Sequence, residues 1–185
     1  DQAKTINLGL FYGMGKAKLQ AELGVSKEKA EELFAQYHAK VPFVKQLMKS
    51  VSNRAQQRGQ IRTLLGRLCR FHLWEPNRFG INKALPFEQA VQEHGQGNIR
   101  RAYTYKALNK LIQGSAADMT KKSMLDLYKE GIIAHIQIHD ELDLSVESPE
   151  QAKKVVEIME NAVKLDVPNK VDYESGKNWG DIYDK

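Results

Sequence analysis

The stretch that most constrains this chain is Ile136-Gln-Ile-His-Asp-Glu-Leu-Asp-Leu-Ser-Val146. Ile136 and Ile138 alternate with polar residues on one limb, and Leu142, Leu144 and Val146 alternate on the other. Period-two alternation marks half-buried strands. The stretch therefore predicts two short strands folded over an acidic tip of His139, Asp140 and Glu141. A hairpin held by an apolar face can fix a carboxylate in space, as a metal site requires. Taken alone, the same residues are better described as an ordinary hairpin with a polar turn. The rest of the chain has to decide between the two.

A length of 185 residues suits one ordinary domain or a large piece of a bigger protein. The 42% hydrophobic content supplies a core, and the net charge of +5 suits a polyanionic partner without requiring one. A lone cysteine, Cys69, excludes an intramolecular disulfide. No apolar run is long enough to span a membrane and no signal peptide is present, so a cytoplasmic location is expected. Residue 1 is Asp rather than Met, with a helical pattern already running, which points to a start inside a larger architecture.

Residues 2–13 predict a helix ended by Gly13 and Gly15. Lys4, Leu8 and Tyr12 recur every four residues and share one face. A cation, an apolar side chain and a ring on one stripe suit a triphosphate, a sugar and a base, and they also suit a plain amphipathic helix. A short helix follows over 16–23. Ser26 caps a helix reaching about Lys40, and Pro42 opens another that runs to Gly59. In that last helix Phe43, Leu47 and Val51 recur as a buried seam does.

Gln60 to Leu65 reads as a strand. Arg54, Arg58, Arg62, Arg67 and Arg70 form a basic cluster that can follow a phosphate backbone or simply face solvent. Residues 72–98, broken by Pro76, Gly80, Pro86, Gly95 and Gly97, predict an irregular insertion with one helical turn near 87–91. A long helix is expected from Asn98 to Glu130, with Asn109 and Gln113 on one face and the small residues Gly114 to Ala117 after them. Packing against a neighbouring helix accounts for the small residues. Ser148-Pro149 starts a further helix, and 170–173 a last strand.

No zinc spacing, phosphate-cradling glycine loop or nucleophile–base set is present. A basic chain, a lysine-bearing helix, an Asn–Gln face and an acidic hairpin tip suit phosphoryl chemistry with a hard divalent cation. There, two metal ions roughly 3.5–4 Å apart clamp the attacking and leaving oxygens. One hairpin aspartate does not serve two metals. Asp140 and Glu141 are consecutive and need not converge, because successive strand residues face opposite sides. No second carboxylate-bearing strand stands out.

Three ordered stretches resemble motifs of family A DNA polymerases, the group of bacterial DNA polymerase I and related bacteriophage enzymes. Lys4-Thr-Ile-Asn-Leu-Gly-Leu-Phe-Tyr-Gly13 resembles the family's fingers helix, K-x-x-x-F/Y-G-x-x-Y-G. Asn109-Lys-Leu-Ile-Gln-Gly-Ser-Ala-Ala-Asp118 resembles N-x-x-x-Q-G-T/S-A-A-D, and Ile138-His-Asp-Glu-Leu142 resembles the catalytic V-H-D-E-L hairpin. Thr63-Leu-Leu-Gly-Arg67 is similar to a T-L-x-G-R segment, and Asn178-Trp179 to a closing G-x-N-W.

The resemblance implies an α+β fold: the C-terminal part of a right-hand polymerase, with helical fingers over 1–59 and a palm portion over 60–185 carrying an antiparallel catalytic hairpin and the insertion at 72–98. It implies nucleotidyl transfer from deoxynucleoside triphosphates to a primer on template DNA, with two Mg²⁺ ions. Asp140 would hold metal, Glu141 would assist it, and His139 would lie near the primer terminus. Lys4 would bind triphosphate and protonate the leaving pyrophosphate, with Leu8 and Tyr12 at the sugar and nascent base pair. Gln113, Asn109 and Arg67 would contact the duplex.

Leu8 stands where the family usually has Phe or Tyr. Leucine brings no hydroxyl, which implies discrimination against dideoxynucleotides and leans towards a bacteriophage member. The family's other palm aspartate belongs upstream of the fingers helix. The isolated chain is therefore expected to be inactive, completed by an N-terminal half as a missing segment or a second polypeptide. The alternatives are a non-catalytic DNA-binding subunit and a structural subunit of a split polymerase.

Overall fold

Helix boundaries follow local chemistry. In this computed structural model, residues 2–78, 80 and 82–183 are described. Helix α1 spans Gln2–Phe11 and is closed by Gly13 at φ +90°. Helix α2 spans Lys16–Leu23 and ends on Gly24 at φ +62°. Helix α3 spans Lys27–Lys40, with the Ser26 hydroxyl accepting from the Lys29 amide at 3.2 Å. Helix α4 spans Pro42–Arg58, opened by the proline expected there and closed by Gly59 at φ +67°. Any other residue at 59 would meet two obstacles, because a Cβ there would lie 2.6 Å from the Arg101 guanidinium carbon.

The chain forms two compact groups, residues 1–114 and 115–185. The first is centred on Val51, Ala55, Ile61, Phe71, Ala107 and Leu108. The buried face of α4 is Val44, Val51 and Ala55, with Met48 partly buried among them. Phe43 and Leu47 of the expected seam are instead exposed, at 58% and 36%. A four-residue repeat fits two adjacent stripes of one helix, and Val44-Met48-Val51-Ala55 mixes steps of three and four as a straight helix requires.

Strand β1 (Gln60–Arg62) pairs antiparallel with β2 (Leu68–Arg70). The strand is shorter than expected because Thr63 begins a tight turn. The Thr63 amide donates to the Arg67 carbonyl, the Gly66 amide donates to the Thr63 carbonyl, and the Arg67 amide donates to Thr63 Oγ1, each at 3.0 Å.

The segment 72–98 is more ordered than its composition suggested, although positions 79 and 81 lie outside the described residues. Strand β3 (Trp74–Pro76) pairs with β4 (Ile99–Arg101), and α5 (Phe87–His94) runs two turns rather than one. Trp74 bridges Leu85 through paired backbone hydrogen bonds of 2.7 and 2.8 Å, and its ring lies 5.0 Å from that of Phe87. Leu85 and Ala90 are buried beneath. The helix expected from Asn98 is corrected accordingly. Ile99–Arg101 is strand, Tyr103 takes φ +61°, and α6 begins at Ala107 and runs to Lys129. Non-local ties hold the strand form. Arg101 donates to the Phe71 carbonyl at 2.9 Å and stacks over Trp74 at 4.5 Å, while Arg100 pairs with Glu75 at 2.9 Å.

In the second group, β5 (Ile136–Ile138) and β6 (Glu141–Asp143) form the expected antiparallel hairpin. Helix α7 (Pro149–Asn161) is capped by Ser148, whose hydroxyl accepts from the Gln151 amide at 3.2 Å. Leu127, Ile132 and Val155 make the core, and Leu142, Leu144, Ile158 and Met159 pack on it. The expected strand at 170–173 is absent. Its neighbour is a helix, not a strand. The Val171 amide and Lys170 Nζ both reach the Glu160 carboxylate, at 3.3 and 3.2 Å, and no sheet ladder forms. A four-residue helix α8, Gly180–Tyr183, follows. The α+β class expected from the sequence is the class found, with short antiparallel sheets among helices. No helix among the described residues is long and apolar enough to cross a membrane.

Candidate active-site elements

The stripe of Lys4, Leu8 and Tyr12 does not face the core. Leu10 of α1 is buried, while Lys4 is exposed and Leu8 is 45% exposed. Tyr12 closes the stripe just past the helix, its amide donating to the Leu8 carbonyl at 3.0 Å. Its ring meets Phe11 edge-on at 5.3 Å.

The Tyr12 hydroxyl accepts a hydrogen bond from Gln113 Nε2 at 3.0 Å, across 101 positions of sequence. Asn109 lies one turn earlier on α6 and is exposed, as is Gln113. Two of the three motifs thus converge within one compact group. Gly114 follows on α6, and its smallness has a specific cause. A Cβ there would stand 2.8 Å from Thr63 Cγ2. The close neighbour is the Thr63–Arg67 turn, not the helix expected. The turn that carries exposed Arg67 is thereby seated against α6. Thr63, named above only within the T-L-x-G-R resemblance, is 7% exposed, and its packing against α6 was not foreseen. A β-branched hydroxyl residue beside a turn was the available signal.

In the second group the hairpin reverses through two residues, His139 and Asp140, since Ile138 pairs with Glu141. His139 takes φ +53°, a conformation uncommon for residues other than glycine. Gln137 Nε2 donates to the His139 carbonyl at 2.6 Å and braces the turn. Asp140 and Glu141 are both exposed.

The register corrects the expectation of one shared apolar face. Residues directly opposite in an antiparallel pair lie on the same side. Gln137 opposes Leu142, whereas Ile136 and Ile138 oppose Asp143 and Glu141. The Leu142–Leu144 side packs on the core, while Ile136 is 45% exposed. The hairpin is therefore anchored by one face only, and its other face carries two carboxylates between isoleucines. Asp143 Oδ2 is buried there and has no hydrogen-bond partner among the described residues. Alternation of Glu141 and Asp143 was the sequence signal for that pairing.

Among the described residues no three His, Cys, Asp or Glu side chains gather to hold a metal ion. The donors the hairpin does offer are carboxylate oxygens, the chemistry Mg²⁺ takes alongside water and phosphate. They fit that ion as part of a site.

Comparison with known proteins shows the family. The sequence pattern of DNA polymerase family A matches residues 1–181, and the chain belongs to that family. It is 34% identical to a DNA-directed DNA polymerase of Pseudomonas phage M6, over 96% of this chain and 29% of that protein. It is 37% identical to DNA polymerase I of Geobacillus stearothermophilus, over 97% of this chain and 20% of that protein. The POL domain of Pol1 from M. smegmatis, solved in complex with DNA primer-template and dNTP, superposes with a TM-score of 0.68 at 30% identity, over 90% of this chain and 28% of that one. The chain thus spans between 20% and 29% of the length of these curated relatives.

Proposed function

We propose that this chain is the fingers and C-terminal palm portion of a template-directed DNA polymerase, with 1–59 as fingers helices and 60–185 as palm. The observation that carries the reading is the hairpin turn. A positive-φ His139, braced by Gln137, presents an exposed Asp140 at the tip of strands anchored by Leu142 and Leu144. Family membership over residues 1–181 supports it.

In this reading Asp140 holds metal and Glu141 assists from the adjoining strand position. Two bound Mg²⁺ ions would supply Lewis-acid stabilisation of the attacking and leaving oxygens. The remaining carboxylate comes from polypeptide outside these residues, either an upstream portion or a partner chain. Lys4 binds the incoming triphosphate and donates a proton to the leaving pyrophosphate, a role its exposed position on α1 permits. Leu8 lies against the sugar and Tyr12 against the nascent base pair. Gln113 and Asn109 meet the primer–template end, His139 lies near the primer terminus, and Arg67 meets the backbone. Arginine and lysine contacts of that kind make binding depend steeply on salt.

Primer extension tests the proposal. The chain supplemented with a family A N-terminal polymerase portion, Mg²⁺ and deoxynucleotides is expected to extend a primer, and the chain alone is not. Robust extension by the purified chain alone would refute the shared-site reading. A purely DNA-binding role would leave every assembly without Asp140-dependent activity.

A further inference from the structure

The turn between β4 and α6 has a feature that the proposed catalytic roles leave unused. Its sequence is Ala102-Tyr-Thr-Tyr-Lys-Ala107. The two alanines are buried at 1% and 0% exposure, while Tyr103 and Tyr105 stand out at 39% and 64%. Lys106 Nζ lies 5.1 Å from the Tyr103 ring centre and 5.6 Å from that of Tyr105. One cation and two exposed rings therefore form a single unit.

The backbone that carries that unit is tied to its surroundings. Tyr103 takes φ +61°, which is costly for an aromatic residue and persists only where the surroundings enforce it. The Lys106 amide donates to the Tyr103 carbonyl at 3.0 Å, and the Thr104 hydroxyl meets Gln56 Oε1 of α4 at 3.4 Å. With its amide turned to match its neighbours, Gln56 instead bonds the Arg101 backbone on both sides, at 2.9 and 3.2 Å, and sets Nε2 rather than Oε1 against the Thr104 hydroxyl. A turn backbone fixed in advance loses little freedom on binding.

Two other ring–cation pairs in the same group serve packing. Arg101 covers Trp74, which packs on Phe87, and Lys110 covers Phe71, a core residue only 3% exposed. Lys106 makes no ion pair with an acid among the described residues, so its charge is available to an anion. Exposed rings beside an available cation match what unpaired nucleotides need. Bases stack on aromatic faces whatever their sequence, and the cation meets the phosphate. A base-paired duplex offers open base faces to such rings only at its two ends.

We infer that Tyr103, Tyr105 and Lys106 form a stacking site for unpaired nucleotides of single-stranded DNA. The inference rests on the nucleic-acid-binding part of the proposed function and adds a site to it.

The test is fluorescence anisotropy with the purified chain, a labelled single-stranded oligodeoxynucleotide and a blunt duplex of equal length. A 2-aminopurine base in the single strand reports stacking directly by quenching. Tyr105→Ala is expected to weaken single-strand binding by about fivefold or more and to remove the quenching, the scale of one lost stacking contact. Tyr105→Phe should keep both within about twofold. Duplex affinity should stay within the same margin for either variant. Both side chains are exposed, and circular dichroism checks that each variant folds. Unchanged single-strand binding in Tyr105→Ala, an equal loss on duplex, or a loss in Tyr105→Phe as large as in the alanine variant overturns the inference alone. Failure of the unaltered chain to bind either DNA overturns the nucleic-acid reading as well.

Discussion

Gln113 of α6 donates a 3.0 Å hydrogen bond to the hydroxyl of Tyr12 at the end of α1. Two motifs far apart in sequence are joined by one polar contact, and the contact is measurable. A net hydrogen bond contributes about 0.5–1.5 kcal/mol, and exposure of Gln113 puts this one at the low end. Tyr12→Phe and Gln113→Ala should each destabilise modestly, with a coupling of about 0.5 kcal/mol in a double-mutant cycle followed by urea unfolding. Fully additive effects would show that the two side chains do not act on each other.

Gly114→Ala reverses an ordinary rule. Replacing a mid-helix glycine by alanine stabilises most helices by about 1 kcal/mol. Here the new methyl would stand 2.8 Å from Thr63 Cγ2, in a site already closed. The variant should therefore be destabilised, by about 1–3 kcal/mol, as overpacking costs. Thr63→Ser removes the obstructing methyl and should recover most of that loss in the double variant. A simple gain in stability for Gly114→Ala would show that the Thr63–Arg67 turn moves freely off α6.

His139→Gly should raise stability, since glycine adopts φ +53° without strain. A gain near 1 kcal/mol corresponds to about 2–4 °C in melting temperature for a domain of this size. Activity of an assembled polymerase should fall in the same variant, because the proposed primer-end contact is lost. A variant that melts lower would mean the turn does not hold His139 under strain.

His38 makes α3 sensitive to acid. Burial, reinforced by the charge of Lys45, holds its pKa below the usual imidazole value. Its ring lies 4.4 Å from that of Phe34, and Nδ1 is buried without a hydrogen-bond partner among the described residues. The folded state thus favours the neutral ring, and the unfolded chain takes up the proton first as pH falls. Stability from this group is complete above the unfolded value near 6.5 and declines as pH falls through it towards the folded value. His38→Phe should flatten that part of the stability–pH curve, as followed by thermal unfolding at a series of pH values. An unchanged slope would move the effect to another group.

These contrasts show which features the sequence made legible. Caps and stops were local and readable: Ser26, Pro42, Gly59 and Ser148 each sit where their chemistry dictates. The hairpin was readable from alternation, but its facing was not, because register depends on the two-residue turn at His139–Asp140. The start of α6 was hidden by Arg100 and Arg101, good helix formers pulled into strand by Glu75, Phe71 and Trp74. Tyr12 and Gln113 were each recognised, yet nothing local in either segment announces that they touch.

Leu8 gives a test of the nucleotide pocket. It is exposed on the Lys4 face of α1 and carries no hydroxyl. An assembled enzyme should discriminate against dideoxynucleotides, and Leu8→Tyr should relax that discrimination, measured as the ratio of kcat/KM for deoxy and dideoxy substrates. Equal use of both substrates by the unaltered enzyme would count against the assignment of Leu8 to the sugar.

The most direct measurement concerns Asp140. Mg²⁺-dependent primer extension by the chain, completed with a family A N-terminal polymerase portion, is compared with that of Asp140→Ala, with primer–template affinity measured alongside. The account predicts a loss of extension of at least about a hundredfold, as for removal of a group acting on transition-state charge, with DNA affinity nearly unchanged. Extension that survives the substitution, or that never appears in the unaltered assembly, would contradict it.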